Sequence, residues 1–341
     1  MDKYGIDSEK LSLHPERVAQ WRAAGDDWEL AKRVFPIYVE LSPVGACNHR
    51  CTFCAVDYLG YKPVLWGDRM MDVVDELGAS GVKSVMFGGE GEPTLHKRYD
   101  HFVLKAKSSG MDVALTTNAT LLHNVDTIAE HTWIKASVNA GTEATYIAVH
   151  NAKPGDWERV WSNLTDAVKR KGDCTIGVQM VLLPENEHEI VSLEARCRDA
   201  GVDYLVVKPY SQHSMSLTTR YKDWKPSILP YSSGITTVRE AAFSASESDY
   251  SKCNATPNFW AFIDCHGEVC TCSAYLADPR FMVGNLYEKT FAEVWQGEKR
   301  RVNWEFVRKT LDIHECRVNC RMHEANKYLA RFTEGKHVNF I

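Results

Sequence analysis

The sequence predicts an α/β fold: a partial (β/α)6 TIM-like barrel followed by a small C-terminal α+β domain. Three observations predict it. Between residues 37 and 207, short apolar runs of strand length alternate with segments of helical composition about six times, the pattern of a parallel sheet with crossover helices. The alternation stops near residue 211, short of a complete eight-unit barrel. Six of the eleven cysteines then lie beyond residue 250, behind a stretch rich in Ser, Thr and Tyr.

Residues 8–33 predict one or two amphipathic helices, with Leu13, Val18, Trp21 and Leu30 as apolar positions and Pro15 suited to a first turn. Candidate strands are 37–41, 84–87, 112–116, 134–138, 176–181 and 204–207. Between them, 69–77, 101–108, 127–131, 157–169 and 187–199 have helical composition. Residues 211–250, with Pro226 and Pro230, predict a loop-rich insert. In the tail, 286–297 and 321–332 predict helices. The expected division is an N-terminal helical extension (1–35), the partial barrel (36–215), a linker (216–250) and a C-terminal domain (251–341).

Composition narrows the chemistry. With 341 residues, 44% apolar and 25% charged, a core can form without disulfides. A net charge of −5 and the absence of a dense Lys/Arg run give no electrostatic case for nucleic acid. No apolar stretch approaches the roughly 20 residues that span a bilayer, and the polar N-terminus lacks a signal-peptide core. A cytoplasmic location is therefore expected. Thiols stay reduced there, so clustered cysteines point to metal or catalysis. Cys174 and Cys197 are isolated and read as structural.

Cys47-Asn-His-Arg-Cys51-Thr-Phe-Cys54 follows the first strand with C-x3-C-x2-C spacing. Three thiolates on one loop can hold three corners of a cubane cluster and leave the fourth iron open, as a catalytic metal requires. A zinc site lacking its fourth ligand is the competing reading, with His49 poorly placed inside the loop. The motif, including Phe53 before the last cysteine, resembles that of radical S-adenosylmethionine enzymes. The resemblance implies that the open iron binds the amino and carboxylate groups of S-adenosylmethionine. It also implies that electron transfer into the sulfonium yields a 5′-deoxyadenosyl radical.

Further segments agree with the family. Gly88-Gly89-Glu90-Gly91-Glu92-Pro93 resembles its Gly-Gly-Glu-Pro element, matched here on Gly91, Glu92 and Pro93 with Glu90 interposed. Thr117-Asn118 resembles a Thr-Asn-Gly segment with Ala119 in place of glycine. Ser137 and Asn139 stand where the family carries polar groups near the ribose and carboxylate. The resemblance thus makes Phe53, Gly91, Glu92, Asn118, Ser137 and Asn139 candidate cofactor contacts. The usual later arginine is absent, with His150 a possible stand-in. Lys208 and Tyr210, ending the sixth strand, are candidates to face substrate or simply surface residues.

In the tail, Cys253, Gly267 and Cys272, followed by Gly284-Asn285-Leu286 and Val294-Trp295, resemble the twitch or SPASM extension of the same enzymes. The resemblance implies an auxiliary 4Fe-4S cluster on Cys253, Cys272, Cys316 and Cys320. A zinc ribbon is the rival. Cys265 and Cys270 are candidate hydrogen-atom donors or small buried hydrophobes. The expected function is hydrogen abstraction from a sugar, nucleotide-sugar or nucleoside-like metabolite. The expected outcome is oxidation, epimerisation, elimination or C–C bond formation, with a flavodoxin- or ferredoxin-like electron donor. Alternatives are a maturase of a ribosomally made peptide or protein and, more remotely, a zinc-stabilised non-enzymatic binding protein.

Overall fold

Ten strands form one sheet among the described residues of the computed structural model, which are 4, 9–64, 66–227, 232, 234–239, 250–316 and 320–335. They are β1 (Tyr38–Leu41), β2 (Ser84–Phe87), β3 (Asp112–Thr117), β4 (Trp133–Ser137), β5 (Thr175–Leu182), β6 (Tyr204–Pro209), β7 (Thr236–Val238), β8 (Trp260–Ile263), β9 (Glu268–Cys270) and β10 (Met282–Asn285). The spatial order is β10-β9-β8-β1-β2-β3-β4-β5-β6-β7. Strands β1 to β6 neighbour one another in sequence order and run parallel, as six βα units dictate.

The helices are α1 (Pro15–Ala24), α2 (Trp28–Ala31), α3 (Arg69–Ala79), α4 (Tyr99–Ser108), α5 (Glu143–His150), α6 (Asp156–Arg170), α7 (Ile190–Ala200), α8 (Phe291–Trp295), α9 (Glu298–Lys309) and α10 (His323–Thr333). Val39, Leu41, Val85, Phe87, Leu115 and Ile134 belong to one buried core with Val73 and Val74 of α3, Phe102 of α4 and Leu164 of α6. Alternate strand residues therefore point to the other face and line the barrel lumen. The Tyr38 hydroxyl donates to Glu40 at 2.9 Å and, like Thr116, lies 3.3 Å from the Met86 sulfur.

Four features depart from the sequence expectation. The segment 127–131 forms only a 3-10 turn, Ile128–Glu130, because the Thr127 hydroxyl donates to Asp100 instead of capping a helix and His131 is already extended. Helix α5 was not expected; it starts where the Thr142 side chain accepts from the Thr145 N–H and stops at Asn151 in the left-handed region. Helix α9 was likewise not expected. The segment 216–250 contributes β7, which pairs parallel with β6; its residues 228–231, 233 and 240–249 lie outside those described.

The tail is not a separate layer. β8 pairs parallel with β1, Tyr38 opposite Trp260, and β9 and β10 follow antiparallel. The C-terminal segment thus continues the barrel sheet from its first strand. No helix among the described residues is long and apolar enough to cross a membrane.

Candidate functional site

The Cys47–Cys54 loop leaves the C-terminal end of β1, the end at which βα barrels place their chemistry. Its backbone is held from α5. Arg50 N donates to the His150 carbonyl at 3.1 Å and Thr52 N to the Val149 carbonyl at 2.8 Å. The last carbonyls of a helix lack intrahelical partners, so α5 is a ready acceptor for loop amides.

The three thiols form one group. Burial raises Cys47 to about 11, with Glu92 and Cys54 adding to the effect. Burial, then Cys54 and Cys47, raises Cys51 well above the ordinary thiol range. Ionising one thiol opposes ionising the next. Only a bound cation would let all three exist as thiolates, which is the chemistry of a metal or cluster seat. The Cys51 sulfur lies 3.1 Å from His150 Nδ1, and His150 Nε2 donates to the Val138 carbonyl at 2.8 Å. Phe53 sets its ring edge against His150, with centroids 5.5 Å apart.

His49 is closer to this group than its place in the loop suggested. It offers a ligand atom within 4.8 Å of those of Cys51 and His150. Its Nδ1 is buried and without a hydrogen-bond partner among the described residues, while Nε2 faces Asp156 at 3.4 Å.

The loops after β2 and β3 brace the cysteine loop. A Cβ on Gly91 would come within 2.4 Å of both the Val44 and Ala46 carbonyls, so backbone fills the space a side chain would need. Glu92 N donates to the Ala46 carbonyl at 2.9 Å. The Glu92 carboxylate is buried and accepts from Thr94 N and Oγ1, Thr117 Oγ1 and Asn118 N at 2.7–3.1 Å. Its side chain and amide are thus engaged within the protein, and its carbonyl, which accepts from Leu95 N at 3.1 Å, keeps one lone pair for a ligand. Asn118 Nδ2 donates to the Asn48 side-chain oxygen at 2.7 Å, tying β3 to the cysteine loop.

At the end of β4, Ser137 is half-buried opposite Gln179. Asn139 is fully buried in the left-handed region (φ 55°), which asparagine tolerates. Its side-chain oxygen accepts from Val181 N at 2.8 Å and its Nδ2 lies 3.4 Å from His150 Nε2. A contact between the cysteine loop and residues 216–218 was not foreseen. Asp57 accepts from Ser216 Oγ, Leu217 N and Thr218 N at 2.9–3.0 Å, fastening 216–218 against the cysteine loop. Only the placement of Asp57 three residues past Cys54 hints at this in the sequence.

The tail cysteines also converge. Burial, then Cys320 and Cys253, raises Cys272 well above its ordinary value. Burial raises Cys316 against a hydrogen bond from Tyr275, with Cys253 adding to the rise. Asn326 of α10, missed in the sequence, donates from Nδ2 to the Cys253 sulfur at 3.4 Å. Its Oδ1 accepts from the Asn254 and Ala255 amides.

Cys265 and Cys270 lie apart from one another in role. Cys270 is fully buried in an apolar cluster with Trp260, Phe262 and Phe281, and donates to the Cys272 carbonyl at 3.3 Å. Cys265 is buried beside the cysteine loop, where a Cβ on Gly45 would come within 2.9 Å of its sulfur. Its amide donates to Glu90 at 3.0 Å, and burial followed by the Glu90 carboxylate raises its thiol.

Residues 41–197 match the profile of the radical SAM superfamily, and residues 253–321 match that of an iron–sulfur cluster-binding domain, SPASM. A "Tungsten-containing aldehyde ferredoxin oxidoreductase cofactor-modifying protein" of Pyrococcus furiosus is 24% identical over 84% of this chain and 88% of its own. A "GTP 3',8-cyclase" of Chlorobaculum tepidum is 26% identical over 54% of this chain and 57% of its own. Among solved structures, Streptococcus suis SuiB bound to precursor peptide SuiA superposes with a TM-score of 0.60 at 17% identity, over 84% of this chain and 69% of that one. The enzyme anSMEcpe with bound AdoMet and Cp18Cys peptide gives 0.56 at 15%, over 89% and 91%. These likenesses carry the fold, a partial barrel with a cluster-binding C-terminal part. Two matched profiles in the order of the two cysteine groups make this chain a radical S-adenosylmethionine enzyme with a SPASM-type domain, and 4Fe-4S clusters and S-adenosylmethionine its cofactors.

Proposed function

We propose that Cys47, Cys51 and Cys54 hold a 4Fe-4S cluster whose open iron takes S-adenosylmethionine, and that the substrate is a small sugar, nucleotide-sugar or nucleoside-like metabolite. When bound, cluster and cofactor supply a 5′-deoxyadenosyl radical that abstracts hydrogen from the substrate. The observation that carries this reading is the convergence of three half-buried thiols at the C-terminal end of β1, above a polar lumen. The chain's own contribution is positional. Helix α5 and the Glu92 and Asn118 braces fix the loop, Phe53 and His150 wall it, and Asp57 fastens the segment over it. Ser137, Asn139 and the Gly91–Glu92 backbone are the proposed cofactor contacts.

Cys253, Cys272, Cys316 and Cys320 would close all four corners of a second cluster, suited to moving electrons rather than binding substrate. A flavodoxin- or ferredoxin-like protein is the proposed donor. Of the two candidate hydrogen donors, Cys265 is the better placed, because it adjoins the cysteine loop. The relatives named for cofactor modification and GTP cyclisation favour a small-molecule substrate. The peptide reading draws on the fold shared with SuiB and anSMEcpe, whose structures hold peptides.

Anaerobic reconstitution followed by iron and sulfide analysis tests the assignment. About eight irons per chain, falling to about four in Cys51→Ala, is expected. So is 5′-deoxyadenosine formation that disappears in Cys47→Ala, Cys51→Ala and Cys54→Ala. Zinc bound in place of iron, through His49, Cys51 and His150, would overturn it.

A further inference from the structure

A cavity of about 330 Å³ opens within the barrel between β4, β5, β6 and the end of β7. Lys10, Lys135, Lys208 and Arg239 line it, with Gln179 and Tyr204. No carboxylate is found among the described residues of its wall. The strand register explains the grouping: Lys135, Gln179 and Lys208 lie on lumen-facing positions of three adjacent parallel strands. The lumen acid Glu40 is engaged elsewhere, paired with Arg321 and accepting from Tyr38.

Lys135 is the informative residue. Among the described residues its ammonium has no hydrogen-bond acceptor or carboxylate in reach; its neighbours are the Trp133 ring, 5.6 Å away, and the like charge of Arg239. Burial, then Arg239, lowers it to about 8. A buried ammonium with no acceptor of its own is stabilised by an anion placed against it. The cavity lies toward the N-terminal strand ends, at Trp133, Thr175 and Tyr204, and Lys208 forms its edge nearer the cysteine loop. Lys208 stands opposite Val181, whose amide is bound by Asn139, and Asn139 meets His150 beside Cys51. Two residues of strand, roughly 7 Å, separate Lys135 from Ser137 at the catalytic end.

We propose that this cavity holds an oxyanion group of the substrate, a phosphate or a carboxylate, with Lys135 as its main contact and the reacting carbon directed toward the C-terminal strand ends. The proposal rests on the small-metabolite reading above and narrows it to anionic metabolites.

Calorimetric titration of the reconstituted enzyme with inorganic pyrophosphate and, separately, with succinate tests it at about 20 mM salt, where screening is weak. One of the two anions binds once per chain, and Lys135→Gln and Lys208→Gln each weaken it roughly tenfold or more. Lys135→Arg keeps binding close to wild type. The preferred anion tells phosphate from carboxylate. Circular dichroism and the visible spectrum verify folding, and if Lys135→Gln does not fold, Lys208→Gln carries the same expectation. Binding of neither anion, or binding indifferent to these substitutions, overturns the proposal. Anion binding needs no cofactor cleavage, so protein that binds the anion without forming 5′-deoxyadenosine sinks only the reaction assignment. Protein that forms it without binding the anion sinks only this one.

Discussion

His150 Nδ1 lies 3.1 Å from the Cys51 sulfur while its Nε2 donates to the Val138 carbonyl. Burial, then His49, lowers His150 to about 3, so the ring is neutral and acts as a dry wall against the sulfur. Loop amides are held by α5 carbonyls rather than by this ring, so His150→Ala keeps the loop but admits water to it. Water stabilises the more negative reduced cluster and raises its potential. The expected result is near-wild-type iron, a higher midpoint potential in an EPR-monitored titration, and 5′-deoxyadenosine formation slowed roughly tenfold. An unchanged potential would count against this role.

Glu92 accepts four hydrogen bonds from two loops in a buried setting. In Glu92→Gln an amide NH2 must face at least one donor, Asn118 N or the threonine groups, and a buried N–H loses its acceptor. A loss of about 1–3 kcal/mol is expected, visible as a lower thermal midpoint together with weaker iron retention. Equal stability would show that the clamp rearranges freely.

Asn326 both accepts two backbone amides and donates to the Cys253 sulfur. Asn326→Asp retains the acceptor and removes the donor. It also places a carboxylate beside the sulfur. N–H···S bonds raise cluster potentials, so the auxiliary midpoint should fall while the spectrum of the cluster proposed on Cys47, Cys51 and Cys54 is unchanged. A rise would reverse the assignment of Asn326 as a donor.

Asp57 fastens residues 216–218 by three hydrogen bonds. Asp57→Ala should release the segment, detected as faster amide exchange and tryptic cleavage at Arg220 or Lys222, with α6 and β5 protected as before. Cleavage at the wild-type rate would mean that the Ser216 bond to the Cys54 carbonyl suffices.

His131 is buried between Tyr99 Oη, 2.8 Å from Nε2, and the Thr127 carbonyl, 2.8 Å from Nδ1. Burial lowers it from 6.5 to about 4. The unfolded chain therefore binds a proton that the folded chain refuses between these values. Stability contributed by the neutral ring is present above about pH 6.5 and is lost as pH falls toward 4. The thermal midpoint of wild type should drop across this window more than that of His131→Asn, which has no ring to protonate. Parallel pH curves would remove His131 as the cause.

Much of this protein was legible in its residues. Apolar runs such as 84–87 and 176–181 became β2 and β5 because continuous hydrophobicity over strand length satisfies a sheet covered on one face and crowded on the other. The spacing of Cys47, Cys51 and Cys54 marked one short loop, since local chain geometry alone brings three thiols together. Helix α5 was not legible. It spans only 8 residues, about two turns, and its ends are set by Thr142 and Asn151, so periodicity does not announce it, yet it holds the loop.

What the sequence by itself determined was the order of βα units, the two cysteine groups and the family to which they belong. Only the tertiary structure decided which distant groups meet. It joined β8 to β1, drew Asn326 to Cys253 and set Lys135, Lys208 and Arg239 around one cavity. Those encounters depend on strand register and loop closure across tens to hundreds of residues, and chain neighbours carry no record of them.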